Sequence, residues 1–259
     1  TFGRNGSDYS AAVIANAVNA KALELWKDVD GFMSADPGLV RESVKIDCLS
    51  YKEAAELSYF GAKLIHPRTM EPVSKKKIPI YIRNLFRPDD RGTVIDSGSY
   101  EKSSVLKSVT ANRQIAVLRI QGAGVGIKPG IIARVGGTLS HYNINIYSII
   151  TSQTCINLLI DKHEACRGFE ALNHMREGAI EKVELHDELA LVAVVGEGLL
   201  KQKGVAADVF SAVSRVKVNI EMISAGASEV AAYFMVHEDD VDKAVTAIHD
   251  EFFEKKMIK

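Results

Sequence analysis

Arg4, Ser7 and Asp8 stand close together in the opening stretch Thr1-Phe2-Gly3-Arg4-Asn5-Gly6-Ser7-Asp8-Tyr9-Ser10-Ala11. The stretch reads as a strand end, a glycine-bearing loop and the first turn of a helix. Ser7 or Asp8 can cap that helix, and Ala11 to Ala20 continue it in helix formers and apolar residues. Free N–H groups at a helix start attract anions, each charge gaining about 0.3–1 kcal/mol. Arg4 adds a fork of donors suited to a carboxylate or phosphate. Asp8 is an acid where an anion would otherwise be welcome, which points to work on a cation or a metal.

Further along, Lys27 and Asp28 open a polar loop that runs to Asp36, and Lys63 follows an apolar helix. By placement alone, both lysines read as solvated surface residues. Gly122-Ala123-Gly124-Val125-Gly126 follows a strand pattern. It lacks the glycine spacing of a dinucleotide fingerprint and recurs at Gly196 inside a short repeat, so that reading is excluded. Cys48, Cys155 and Cys166 are odd in number, widely spaced and without a C-x-x-C pair. They predict free, buried thiols in a reduced compartment rather than a zinc site or a disulfide framework.

The elements that hold these groups alternate. After the first helix, expected over 8–20, come a strand at 22–26 and a capping box, Ser50-Tyr51-Lys52-Glu53, opening a helix to about Phe60. His66-Pro67 begins another helix, with His66 in a structural role, and that helix ends near Lys75-Lys76-Lys77. Residues 78–84 read as a strand, Arg87 to Thr93 as a polar turn, and Ser97-Gly98-Ser99 as a linker. Such alternation predicts a mostly parallel sheet faced by helices.

The rest contains a repeat. Gly122, Gly124, Gly130, Ala133 and Asn145 recur as Gly196, Gly198, Gly204, Ala207 and Asn219, each 74 residues on (196 − 122). Each copy reads strand, glycine loop, helix, strand, strand, helix, and Val241–Phe253 supplies the last helix. Val105–Thr110, ahead of the first copy, is expected to add a strand to it.

The wording T-F-G-R-N-G-S-D-Y-S-A resembles the second catalytic motif of aspartate kinases. Trp26 to Pro37, Glu53 to Pro67 and the tandem repeat, which resembles paired ACT domains, match the same family in the same order. The resemblance implies the C-terminal part of an amino-acid-kinase-type sheet over 1–98, then ACT domains (ferredoxin-like βαββαβ) over 105–180 and 181–259. It implies phosphorylation of L-aspartate by ATP with Mg²⁺ as the first step of lysine, threonine and methionine synthesis. Asp8 would be catalytic; Arg4, Asn5, Gly6 and Ser7 would hold aspartate; Lys27, Asp28, Met33 and Lys63 would hold ATP; no residue is assigned to a resident metal. An amino-acid effector, lysine or threonine, would lie between Val125, Lys128, Gly130, Ile131 and Ile132 on one side and Asn145, Ile146, Tyr147, Ser152 and Gln153 on the other.

Departures accompany the match. Asn5 replaces a usual glycine, Met33 a frequent tyrosine, and Gly38 an arginine that would touch phosphate. Positions 147 and 153 lack the acids of lysine-sensitive relatives. The family's N-terminal K-F-G-G segment, with its phosphate-binding lysine, is absent, so the chain is expected to be the C-terminal part of a longer enzyme and inactive alone. ACT domains also imply a homodimer or larger. The alternative is a regulatory and oligomerisation fragment without catalysis.

Composition constrains the partners. With 259 residues, 47% hydrophobic, 25% charged and a net charge of −1, the chain has no charge excess to draw nucleic acid or an acidic membrane. Charged residues such as Arg119 and Glu197 interrupt every apolar run short of a membrane span. A cytoplasmic protein is expected.

Overall fold

The computed structural model describes residues 6–62, 64–98, 105–175, 178–199 and 201–254. The first helix, α1 (Gly6–Ala17), leads into β1 (Leu23–Lys27), β2 (Cys48–Ser50), α2 (Tyr51–Phe60), α3 (Met70–Ser74), β3 (Ile80–Asn84) and β4 (Thr93–Asp96). These strands form one sheet in the order β1-β3-β4-β2. β1 pairs with β3 and β2 with β4 in parallel, whereas β3 and β4 are antiparallel. Two of its three pairings are parallel, in keeping with the mostly parallel sheet expected. β4 lies just beyond the polar turn, and β2 is three residues long. Neither carries the length or alternation by which a strand is recognised in sequence.

Local signals placed most helix starts. Ser50 caps α2, and the reciprocal bond from Ser50 N–H to the Glu53 side chain completes the capping box. His66 Nδ1 accepts from Arg68 N–H ahead of the short turn Pro67–Thr69, so this histidine is a structural cap. At the chain's start the helix begins earlier than expected, at Gly6, and Asp8 lies inside its first turn rather than at its cap.

The repeat folds as two sheets. β6 (Ile115–Gln121), α4 (Ile131–His141), β7 (Ile146–Thr151), β8 (Cys155–Asp161) and α5 (Ala165–Asn173) make the first copy. β10 (Leu189–Val195), α6 (Val205–Arg215), β11 (Met222–Ala225), β12 (Ala231–His237) and α7 (Val241–His249) make the second. α7 ends in a π turn, Asp250–Glu254. Gly130 and Gly204 precede α4 and α6 with φ of +87° and +92°, a conformation that disfavours other residues.

Each copy needs a fourth strand, and here one expectation is corrected. β5 (Ser108–Asn112) joins the second copy's sheet, in the order β11-β12-β10-β5, and β9 (Lys182–His186) joins the first, in the order β7-β8-β6-β9. The two strands themselves stand 74 residues apart (182 − 108), so the repeat extends to them while their sheet membership is exchanged. The segment 105–110 therefore does not extend the first copy, and residues 182–186 do. The chain divides into two compact units: residues 1–111, 192–234 and 239–259, and residues 112–191 with 235–238.

In the first copy Leu118, Ile120, Val135, Leu139, Leu158 and Ile160 form the centre of one apolar cluster. In the second, every residue of β10 is buried, the pattern of a strand covered on both faces. The three cysteines are free, but none is fully buried as expected: Cys48 and Cys155 are half-buried and Cys166 is exposed. Among the described residues no helix is long and apolar enough to cross a membrane.

Candidate functional site

Asp8 and Lys27 come together. α1 delivers Asp8 from its first turn, and β1 delivers Lys27 from its C-terminal end. Lys27 Nζ donates to both oxygens of Asp8, at 3.0 and 2.9 Å. The Asp8 side chain is only 6% exposed and that of Lys27 20%, so water screens this pair less than a surface pair. The carboxyl ends of parallel strands are where open α/β sheets gather ligands. β1 and β3 both end here, at Lys27 and Asn84.

Gly6 is buried beside the pair and Ser7 is exposed on the same turn. Asp28 is exposed and Met33 half-buried on the loop after β1. Arg4, Asn5 and Lys63 lie outside the described residues.

Sequence reasoning missed the network that shapes the loop. Asn84 donates to Asp30 at 2.7 Å and accepts from Phe86 N–H at 2.8 Å, while Arg87 reaches the other Asp30 oxygen at 2.9 Å. A polar residue at the end of an apolar strand, as in Asn84, was the available signal. Phe32 N–H donates to Thr93, whose hydroxyl donates to Ile46 C=O. The far end of the loop is held by Ser34, which accepts from Val44 N–H at 2.9 Å and meets His249 Nε2 at 2.9 Å. Among the described residues no group of three or more His, Cys, Asp and Glu is arranged to hold a metal ion.

His249 carries a pH prediction. Burial lowers its pKa from the ordinary value, with Asp250 and Glu42 pulling the other way. The unfolded chain then binds more protons than the folded one just below about pH 6.5, so stability rises with pH in that window. The contribution is present above pH 6.5 and is lost as pH falls through the depressed folded value. Thermal melts from pH 7.5 to 5 should fall less steeply for His249→Gln than for the parent; equal slopes would refute the assignment.

The second candidate site lies in the first repeat copy. Gly126 N–H donates to Gln153 C=O at 3.0 Å, and Gly122 N–H to Thr154 C=O at 3.1 Å. A Cβ on Gly126 would stand 1.9 Å from Ser152 O, so the glycine loop lies directly against residues 152–154. Gly130 precedes α4 without a capping side chain. Lys128, Ile132, Asn145, Ser152 and Gln153 are exposed around this loop. Val125 and Ile131 bury their side chains in the core, and Ile146 packs against it, so Val125 and Ile131 can offer a ligand only backbone. Tyr147 stands where the register of β7 against β8 shifts, and burial raises its phenol pKa, helped by Asp161.

The two glycine loops share one bond. Ala123 N–H donates to Glu181 at 3.0 Å in the first copy, at the surface. Glu197 N–H, 74 residues on (197 − 123), donates to Glu53 at 2.9 Å in the second. Glu53 is fully buried and also accepts from Ser50 N–H.

Residues 1–84 match the amino acid kinase family, and residues 192–252 match an ACT domain. The chain is 34% identical to a bifunctional aspartokinase/homoserine dehydrogenase of Buchnera aphidicola, over 99% of this chain and 32% of that protein. It superposes on E. coli aspartokinase III in complex with aspartate and ADP, in the R-state, with a TM-score of 0.85 and 31% identity, over 98% of this chain and 57% of that one. The same enzyme in complex with lysine and aspartate, in the T-state, gives a TM-score of 0.80 at 32% identity, over 97% and 56%. The regulatory subunit of Thermus thermophilus aspartate kinase gives 0.53 at 28% identity, over 57% of this chain and 98% of that one. The chain thus spans about a third of the curated relative and little more than half of the E. coli enzyme.

Proposed function

For a chain that belongs to the aspartokinase family, we propose that it forms the ATP side and the amino-acid sensor of an aspartate kinase. The observation that carries this reading is the shielded Asp8–Lys27 pair at the joint carboxyl ends of β1 and β3. The reaction is ATP + L-aspartate → 4-phospho-L-aspartate + ADP, the first step toward lysine, threonine and methionine. An oxygen of the aspartate side chain attacks the γ-phosphorus of Mg²⁺-bound ATP, and the bond to the ADP oxygen breaks. Such a transfer needs positioning and charge neutralisation rather than a covalent intermediate. Lys27, Lys63 and the first turn of α1 supply positive potential, Asp8 orients Lys27, and Arg4, Asn5, Gly6 and Ser7 hold the acceptor. Asp28 and Met33 face the nucleotide.

The aspartate and ADP bound to E. coli aspartokinase III support this assignment of substrates. Residues 1–259 on their own are expected to bind Mg-ADP, read by quenching of the single tryptophan, Trp26, and to transfer no phosphoryl group. Transfer by the isolated chain would overturn the second statement, and absence of nucleotide binding the first.

The sensor binds an amino acid at the glycine loop of the first copy. With Lys128 present and no acid at Tyr147 or Gln153, threonine suits this site better than lysine. Calorimetry with lysine, threonine and methionine should give the tightest binding for threonine, and Gln153→Glu should shift preference toward lysine by about tenfold, or ~1.4 kcal/mol. Equal affinities in the parent chain would refute the ranking. The edge strands β7 and β11 each expose an isoleucine, Ile149 and Ile223, which supports a homodimer or larger; the cytoplasm is its proposed compartment.

A second reading is a regulatory and oligomerisation module without catalysis. It is favoured by the likeness of the repeat region to a regulatory subunit that exists as its own chain. Failure of Mg-ADP binding together with retained amino-acid binding would select it.

A further inference from the structure

The loop that carries Met33 is gripped from the second sensor copy at three atoms. Ser108 Oγ donates to Met33 C=O at 2.8 Å, and Val109 N–H donates to Ser34 C=O at 2.8 Å, both from β5. The third contact is between Ser34 Oγ and His249 Nε2 at 2.9 Å, from the end of α7. Ser34 is fully buried and His249 is 1% exposed.

Ser34 Oγ accepts from Val44 N–H and retains both its hydrogen and a second lone pair, so it bonds His249 Nε2 in either imidazole tautomer. His249 Nδ1 is buried without a partner among the described residues. A buried polar atom left unpaired is costly and calls for an explanation. The ring is fixed by stacking on Phe253, at 4.6 Å between centroids and 18° between planes. Asn173 ends α5, the matching helix of the first copy, so the repeat itself does not demand a histidine here.

We propose that His249 is a positioning residue for nucleotide binding. It holds the Ser34 hydroxyl and so sets Met33 against the nucleotide, which makes the placement of α7 in the second sensor copy legible at the ATP site. The proposal rests on the reading of Met33 as a nucleotide contact. It gives the second copy a role distinct from that of the first: the first takes the effector, and the second holds the loop.

The test uses residues 1–259 with Mg-ADP, followed by Trp26 fluorescence, alongside thermal melts. His249→Phe keeps a ring and removes its hydrogen-bonding nitrogens, and should raise the dissociation constant about tenfold. His249→Gln, whose amide can accept from or donate to the serine hydroxyl, should stay within about twofold of the parent. Ser34→Ala breaks the same bond from the other side and should weaken binding as His249→Phe does, which covers the case in which the phenylalanine variant fails to fold. Parent-like affinity for the variants lacking the bond, or equal weakening by Phe and Gln, would overturn the proposal. Should the parent bind no Mg-ADP, the nucleotide reading itself fails, and the clamp is then decided by amide exchange at Val44. Faster exchange in His249→Phe but not in His249→Gln supports the clamp, and unchanged exchange in both refutes it.

Discussion

Asp8→Asn should lower phosphoryl transfer by about 10³-fold or more in the longer enzyme that the proposed function implies, a barrier increase of about 4 kcal/mol. The pair geometry is the reason. Both Asp8 oxygens are occupied by Lys27, and the carboxylate is shielded from water, so its charge acts on neighbouring cations at short range. An amide of the same shape keeps one acceptor and loses the charge. Lys27 then has no reason to stay in one place, and a phosphate-directed cation that wanders costs transition-state stabilisation more than ground-state binding. The effect should therefore fall mainly on kcat, with KM for ATP changed by less than about tenfold. Far-ultraviolet circular dichroism and the effector affinity should be those of the parent. A variant within about tenfold of the parent kcat would remove Asp8 from the catalytic role.

Glu53→Ala should cost about 3–5 kcal/mol in the unit that contains it, read as a shift in the urea midpoint at constant slope. Glu53 is fully buried and serves two segments at once. One oxygen accepts from Ser50 N–H at 2.9 Å and closes the capping box of α2, and the other accepts from Glu197 N–H at 2.9 Å in the second glycine loop. Removing it deletes a cap worth about 1 kcal/mol. It also strands N–H donors at about 1–3 kcal/mol each where they stay dry. Glu53→Gln keeps one accepting oxygen and should lose about half as much.

The first copy supplies an internal control. Glu181→Ala removes the equivalent bond to Ala123 N–H, but at an exposed position where water replaces it, so its cost should stay below about 1 kcal/mol. Equal losses at Glu53 and Glu181 would mean that burial does not decide the value of this contact.

Much of the fold was readable because it is written locally. The capping box of α2 spans four residues, and the His66-Pro67 start spans two. The glycines at 130 and 204 mark backbone turns that tolerate little else. The 74-residue register fixed which segments are copies of one another, since equal sequences bury equal faces. The short strands β2 and β4 escaped because three or four residues carry too little periodicity to stand out from a loop.

Of the candidate sites, motif wording singled out Asp8 and Lys27 individually, while their contact across nineteen residues and the Asp30–Asn84–Arg87 lattice required coordinates. His249 could not be distinguished from any other histidine late in an amphipathic helix, because its partner is 215 residues away.

By itself, then, the sequence determined the elements, the repeat and the residue types gathered at each glycine loop, because helix caps, turn conformations and burial periodicity act over a few neighbours. Only the tertiary structure decided where the edge strands went. Ser108–Asn112 and Lys182–His186 are equivalent by register, and nothing within either strand names its sheet. Strand pairing is satisfied by backbone groups common to every residue, so the choice of partner falls to long-range packing. That same packing sets β5 and α7 against the Met33 loop and buries Glu53 and His249.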